Sequence, residues 1–297
     1  MRLVFFGTPE FAVPSLEAVV REHEVALVVA QPDKPAGRGM KMQAPAVAVR
    51  ARELGLPLLQ PPKIRSEEFL AEIRSVAPDC GVVVAYGKIL PAALLEIPRL
   101  GFLNVHGSIL PRWRGAAPIQ RSIEAGDPIT GVTIMRVDEQ LDHGPMLRIA
   151  TTEIRPDERT PDLARRLAHI GGDALAAVLR EMPPAVEQEH DQATHAPKIE
   201  KSEGEITFAE PARVIYNRFR AFHPWPGISF RDLKLTEIRP AEGAGPARTI
   251  LGIDEGGVIV ACAEGAIRIV EMQRPGKART PAAAVARGLG WKAGHVL

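Results

Sequence analysis

Short, continuously apolar runs alternate with amphipathic stretches along the first half of the chain. Arg2 to Gly7 is a strand-like run ending in Gly7-Thr8-Pro9, and Phe11 to Arg21 has helical spacing, with Phe11, Leu16, Val19 and Val20 apolar. Val25 to Ala30 is apolar throughout, as expected of a strand buried on both faces. The pattern then repeats: a helix over Glu67 to Val76 with Phe69, Leu70 and Ile73 on one side, a strand over Cys80 to Ala85, and another over Gly101 to His106. Val132 to Val137 is one more strand, and Leu163 to Leu179 one more helix. Strands alternating with helices predict an α/β fold with an open, doubly wound, mostly parallel sheet, whose ligands bind outside the carboxyl ends of the strands.

Pro183-Pro184 and the polar stretch through His190, Asp191 and His195 read as a linker. This places a first domain at residues 1–205, including the linker from about 183, and a second at 206–297. After a helix at Ala212 to Phe222, the segments Ile228 to Ile238, Arg248 to Ile253, Gly257 to Ala261 and Ala266 to Met272 read as consecutive strands with Gly-rich turns. Strands without intervening helices predict a small C-terminal β-barrel, OB-like in type.

Composition changes little in this picture. Apolar residues at 45% and charged residues at 25% are ordinary for a globular chain. No apolar run approaches a membrane span, the apolar stretch Leu3 to Phe6 stops far short of a signal-peptide core, and Cys80 and Cys262 form no CxxC, so a reducing cytoplasm is the expected setting. Charge is more informative. Residues 206–297 carry thirteen Lys/Arg against eight Asp/Glu, and residues 1–205 carry 24 against 28. A basic tail behind a slightly acidic front suits a polyanionic partner, though a solvated surface would look the same.

The candidate chemistry lies where the fourth apolar run empties into a Pro/Arg/Gly loop. In Asn104-Val105-His106-Gly107-Ser108, an amide, an imidazole and a hydroxyl fall at every second position. Residues two apart on a strand share a face, so the three are expected to converge. Leu141-Asp142-His143-Gly144 follows the next strand and brings a carboxylate. Amide, imidazole and carboxylate together can stabilise an oxyanion and move protons, which is acyl-transfer chemistry without a metal. Singly, each residue reads as well as a structural group: His106 as a hydrogen-bonded strand-end residue, Asn104 as a turn former, Asp142 as a loop carboxylate. The first βα turn, Gly7-Thr8-Pro9-Glu10-Phe11, lacks the GxGxxG spacing of a dinucleotide site. Gln31 to Lys41 is a Pro/Gly loop bearing Lys34, Arg38 and Lys41, suited to phosphate contact or simply to solvent. Arg112-Trp113-Arg114 could hold an anionic group or pack on the sheet edge.

Taken together, Phe6 to Ala12, Gln31-Pro32-Asp33 through Gly39, Asn104 to Pro111 with Arg114-Gly115, Leu141-Asp142, and Lys198 to Gly204 resemble the 10-formyltetrahydrofolate-dependent formyltransferases along nearly the whole chain. The resemblance implies a Rossmann-like catalytic domain followed by a barrel that helps hold tRNA. It implies transfer of a formyl group from 10-formyltetrahydrofolate, as co-substrate and without a metal, to the α-amine of initiator methionyl-tRNA by a monomer. It makes Asn104, His106 and Asp142 the catalytic group, Ser108, Ile109, Leu110 and Pro111 the folate-contacting segment, and Arg38 a match to a position associated with the tRNA acceptor end; Lys34 and Lys41, cations of the same loop, are expected to contact the tRNA with it. Gln140 and His143 stand where the family has Gly and Thr around the aspartate, and Thr207 and Phe208 where it often has Asp and Trp. A sugar-amine formyltransferase and a formate-releasing hydrolase would use the same catalytic residues, but the cationic loop and the basic second domain argue for tRNA over both; a tRNA-binding protein with a vestigial site is opposed by the intact Asn104, His106 and Asp142.

Overall fold

The chain winds as β1 (Arg2–Gly7), a 3-10 turn at Glu10–Ala12 leading into α1 (Val13–Val20), β2 (Glu24–Val29), β3 (Lys34–Ala36), β4 (Lys41–Gln43), α2 (Ala46–Glu53), β5 (Leu58–Leu59), α3 (Glu67–Ser75), β6 (Cys80–Val84), α4 (Ala92–Leu95) and β7 (Phe102–His106). It continues through β8 (Arg114–Gly115), α5 (Pro118–Ala125), β9 (Ile129–Arg136), β10 (Met146–Glu153), α6 (Thr160–Glu181) and β11 (His195–Ala196). The last third is α7 (Ala212–Ala221), β12 (Ile228–Phe230), β13 (Leu233–Ala241), β14 (Ile250–Asp254), β15 (Gly257–Ala261), β16 (Ala266–Gln273), β17 (Arg279–Pro281) and α8 (Ala282–Gly288). These elements come from a computed structural model that describes residues 1–36 and 41–297. They divide into two compact units: Met1–Pro118, Ile129–Glu153 and Ala164–Ala196 form the first, and Ile119–Pro128, Ile154–Leu163 and Pro197–Leu297 the second.

The first unit is built on a seven-stranded sheet of order β10-β9-β7-β6-β1-β2-β5. β7, β6, β1, β2 and β5 are parallel, while β9 runs antiparallel to β7 and β10 antiparallel to β9. The order reverses at β1, which has β2 on one side and β6 on the other. Alternation along β1 sends Val4 and Phe6 to one face, where Phe6 meets Phe69, Tyr86 and Phe102 edge-on at ring distances of 6.3, 5.3 and 5.5 Å. Phe69 is there because α3 is well started: Ser66 accepts the Phe69 N–H at 3.3 Å, and Glu67 and Glu68 occupy the positive end of the helix dipole.

β7 divides its residues between two faces in the same way. A Cβ on Gly171 of α6 would lie 2.7 Å from Val105, so α6 covers the Val105 face at close approach. Phe102, Asn104 and His106 therefore point to the opposite side, the side of the Phe6 cluster.

The second unit carries a six-stranded antiparallel sheet of order β12-β13-β16-β15-β14, with β17 also on β16. One edge of β16 serves β13; the other serves β15 at Ala266–Ile269 and β17 at Glu271–Gln273. The single strand expected over Ile228 to Ile238 is two, because Arg231 takes a φ of +54° and the chain reverses there, pairing Phe230 with Leu233. The loop expected over Gln31 to Lys41 has β3 and β4 at its base, paired antiparallel from Lys34–Gln43 to Ala36–Lys41.

Candidate functional site

β7 presents Asn104 and His106 on one face. Past its end the chain turns tightly, and β9 fixes the turn. Thr133, the cross-strand partner of His106, is fully buried; its hydroxyl donates to Ser108 O at 2.7 Å and accepts from Leu110 N at 3.1 Å. The hydroxyl of Ser108 is also fully buried and donates to Arg112 O at 2.6 Å. This corrects the expectation that Ser108 joins Asn104 and His106 in one pocket: β7 ends at His106, so the alternation that would aim Ser108 inward stops before it. Leu110 is buried, and Ile109 and Pro111 are half-buried.

Asp142 arrives from an unexpected side. Because β9 is antiparallel to β7, its last residue, Arg136, lies beside Leu103, near the amino end of β7. The 137–145 loop therefore folds across the face of β7 to reach Asn104 and His106. Asn104 Nδ2 donates to Asp142 Oδ1 at 3.4 Å, and His106 Nδ1 stands 3.6 Å from Asp142 Oδ2. Gly115 N donates to the same Oδ2 at 2.9 Å. The His106 side chain is 6% exposed and that of Asp142 12%, so the pair is largely shielded from water while Asn104 is half-buried beside it. His106 Nε2 lies 2.9 Å from Trp113 O. A carbonyl only accepts, so Nε2 carries a proton and Nδ1 is the nitrogen turned toward the carboxylate.

The backbone needed for this is special at two points. Asp142 has a φ of +49°, a left-handed conformation that Asp tolerates better than most residues. Two residues on, a Cβ at Gly144 would sit 2.1 Å from Arg136 O, so only glycine fits. The residues that depart from the family pattern are absorbed locally. Gln140 N donates to Asp138 Oδ1 at 2.9 Å, and His143 Nδ1 pairs with Asp138 Oδ2 at 2.7 Å while its ring stacks on His190 at 4.0 Å. In the second unit Phe208 is fully buried against Phe230, and Thr207 accepts the N–H of Ala209 at 3.3 Å.

Asn104, His106 and Asp142 are thus brought together. Lys34 and Lys41 are exposed at opposite ends of the β3–β4 pair, and Arg38 lies outside the described residues. Two further residues had escaped the sequence reading. Thr133 had a signal, a polar position inside the apolar run Val132 to Met135; Gln188, whose Nε2 donates to Asp142 O at 3.0 Å, had none.

Comparison with known proteins identifies relatives along the whole chain. Residues 1–179 match the formyl transferase family and residues 198–290 its C-terminal domain. The methionyl-tRNA formyltransferase of Thermus thermophilus is 44% identical over 98% of this chain and 97% of its own. That of Deinococcus radiodurans is 45% identical over 97% of this chain and 92% of its own. Among solved structures, the sugar 3N-formyl transferase WlaRD superposes with a TM-score of 0.71 at 16% identity, covering 94% of this chain and 99% of that one. HypX from Aquifex aeolicus, in complex with tetrahydrofolic acid, gives 0.61 at 19% identity over 96% of this chain, which spans about half (47%) of HypX. At those identities the structures speak for the fold, whereas the sequence relatives extend end to end: the chain belongs to the formyl transferase family, among its methionyl-tRNA formyltransferases.

Proposed function

We propose that the protein transfers the formyl group of 10-formyltetrahydrofolate to the α-amine of initiator methionyl-tRNA, acting in the cytoplasm as a monomer. The observation that carries this reading is the meeting of an amide, an imidazole and a carboxylate, with Asp142 3.4 Å from Asn104 and 3.6 Å from His106. The neutral amine attacks the formyl carbon, and the carbonyl oxygen gains negative charge. Asn104 has two N–H bonds; one is directed at Asp142, and the other is left to donate to that oxygen. Asp142, coupled to His106 Nδ1, accepts the proton the amine loses, directly or through a water molecule. The bond between the formyl carbon and N10 then breaks, N10 regains a proton, and the product is an N-formylated aminoacyl ester.

The remaining assignments extend this reading along the chain. Ser108 to Pro111 contacts the folate through its main chain and through Ile109 and Pro111, since the Ser108 hydroxyl is already committed to Arg112 O. Lys34, Arg38 and Lys41 meet phosphates of the tRNA. We place the boundary of the catalytic domain at about residue 205, with the basic second domain contributing to tRNA binding.

The direct test is incubation with 10-formyltetrahydrofolate and methionyl-tRNA, with free methionine and folate alone as controls, followed by mass. Formylation of the charged tRNA only is the expected result; formate release without acylated product would replace the reading by a hydrolase. Asn104→Ala and Asp142→Ala should each lower kcat by roughly 10²- to 10³-fold with folate affinity little changed. Equal losses in folate binding would remove both from the chemistry.

A further inference from the structure

Between α6 and the second unit, the segment that reads as a linker crosses the site and is tied down at both ends. Val186 exchanges two backbone hydrogen bonds with Met146, each 2.8 Å, two residues beyond Gly144. At the other end β11 pairs in parallel with β8. Arg114 N donates to Thr194 O at 2.8 Å and Ala116 N to Ala196 O at 2.9 Å. Trp113 N donates to the Thr194 hydroxyl at 2.9 Å. The segment is therefore a strap joining the loop that bears Asp142 to the loop that bears Gly115.

Gln188 sits between the two anchors and is 4% exposed. Its Nε2 donates to Asp142 O at 3.0 Å and to Gly144 O at 2.7 Å; its Oε1 accepts from Arg114 Nε at 3.1 Å and Nη2 at 2.7 Å. A carboxamide has two donor hydrogens and one oxygen with two lone pairs, so every capacity is used. The orientation admits no alternative, because carbonyl oxygens only accept and a guanidinium only donates. Arg114 is 7% exposed and also reaches His190 Nδ1 at 2.8 Å, which locks the acceptor end of the amide in place. A saturated buried network of this kind specifies one geometry, and here the geometry it specifies is the left-handed turn at Asp142.

We infer that Gln188, held by Arg114, is a positioning residue for the reaction: it fixes the Asp142 backbone so that the carboxylate meets Gly115 N, His106 and Asn104 together. The inference rests on the formyl-transfer reading for its kinetic test but not for its structural one. Gln188→Glu separates the two halves of the side chain's work. A glutamate pairs with Arg114 and keeps the strap anchored, yet it has no hydrogen to give to the carbonyls of Asp142 and Gly144. Gln188→Asn keeps the amide and shortens its reach by one methylene.

Both variants should melt within a few degrees of the parent. Their kcat should fall by about 10- to 100-fold, as for outer residues that orient a reacting group, with KM for folate and for methionyl-tRNA within about threefold. In NMR spectra the Gly115 amide proton should move upfield as its bond to Asp142 loosens. A kcat within about twofold of the parent in both variants, or losses that follow only the folded fraction, would overturn the inference. An inactive parent whose Gly115 signal still shifts in the variants would keep the positioning role and overturn the proposed function instead.

Discussion

At the scale of the residue, the site depends on a carboxylate placed by a strained turn. A left-handed φ at a non-glycine residue costs about 1–3 kcal/mol and persists only where its surroundings overdetermine it. At Asp142 they do: Gly115 N, Asn104 and His106 hold the side chain, and Gln188 holds the carbonyl. Gly144 is the other requirement, since a methyl group there would lie 2.1 Å from Arg136 O. Gly144→Ala is accordingly expected to destabilise the fold by about 1–3 kcal/mol through overpacking and to lower kcat further by displacing the turn. Thermal melts and single-turnover rates check both halves, and full activity would show that the loop relaxes without moving Asp142. These same residues mark what the sequence made legible. Asn104 and His106 were visible from the period of two along a strand, and Asp142 from its place after the next apolar run. Ser108 was misread because the period was carried one step past the strand's end, and Gln188 was invisible because its four hydrogen bonds reach 44 to 74 residues away and leave no periodic trace.

At the scale of the element, the parallel strands were legible because burial on both faces writes itself as continuous apolar runs, as in β1, β2 and β6. β10 was not, since after the buried Leu147 it alternates half-buried and exposed positions along an edge and mixes polar with apolar residues. The 183–196 strap failed for a different reason: its binding to the site is through backbone bridges and single side chains, so composition alone made it look like a spacer. A comparable tie occurs in the second unit. Arg121 of α5 bonds Glu203 at 2.6 and 3.0 Å and the carbonyls of Pro197 and Lys198 at 3.3 and 3.2 Å, closing the start of that unit onto α5. The Arg121 guanidinium holds the Glu203 carboxyl below its ordinary range, with burial opposing and the Glu200 N–H assisting. A carboxyl whose folded pKa is depressed adds stability above its unfolded value, about 4.3, and loses it as pH falls through the folded value. The thermal midpoint of the parent should therefore fall more steeply below pH 4.5 than that of Glu203→Gln, while the parent is the more stable of the two at pH 7. Parallel curves would mean that the pair contributes nothing to folding.

At the scale of the whole molecule, the small net charge of +1 hides a sharp polarisation. The notable part is where the basic excess of the second domain lies. Residues 206–265 are balanced, seven Lys/Arg against seven Asp/Glu, so the entire surplus falls in residues 266–297, with six cations against Glu271 alone. Five of the six, Arg274, Lys277, Arg279, Arg287 and Lys292, are exposed. Arg274, Lys277 and Thr280 also line an open cleft of about 350 Å³ together with Ala278 and Val285. On the proposed reading these are phosphate contacts, which act through counterion release, so that the logarithm of the affinity falls linearly with the logarithm of salt, by roughly 0.7–0.9 in slope per phosphate neutralised. Arg274→Glu/Lys277→Glu should thus raise KM for methionyl-tRNA by about tenfold or more at moderate salt and reduce the salt slope by about 1–2, leaving KM for folate unchanged. Neither side chain is among the residues that place Asp142, so kcat at saturating tRNA should stay near the parent value. A tRNA KM and salt slope that do not move would assign the basic end of the chain to solubility and leave the cations around β3 and β4 to carry the tRNA.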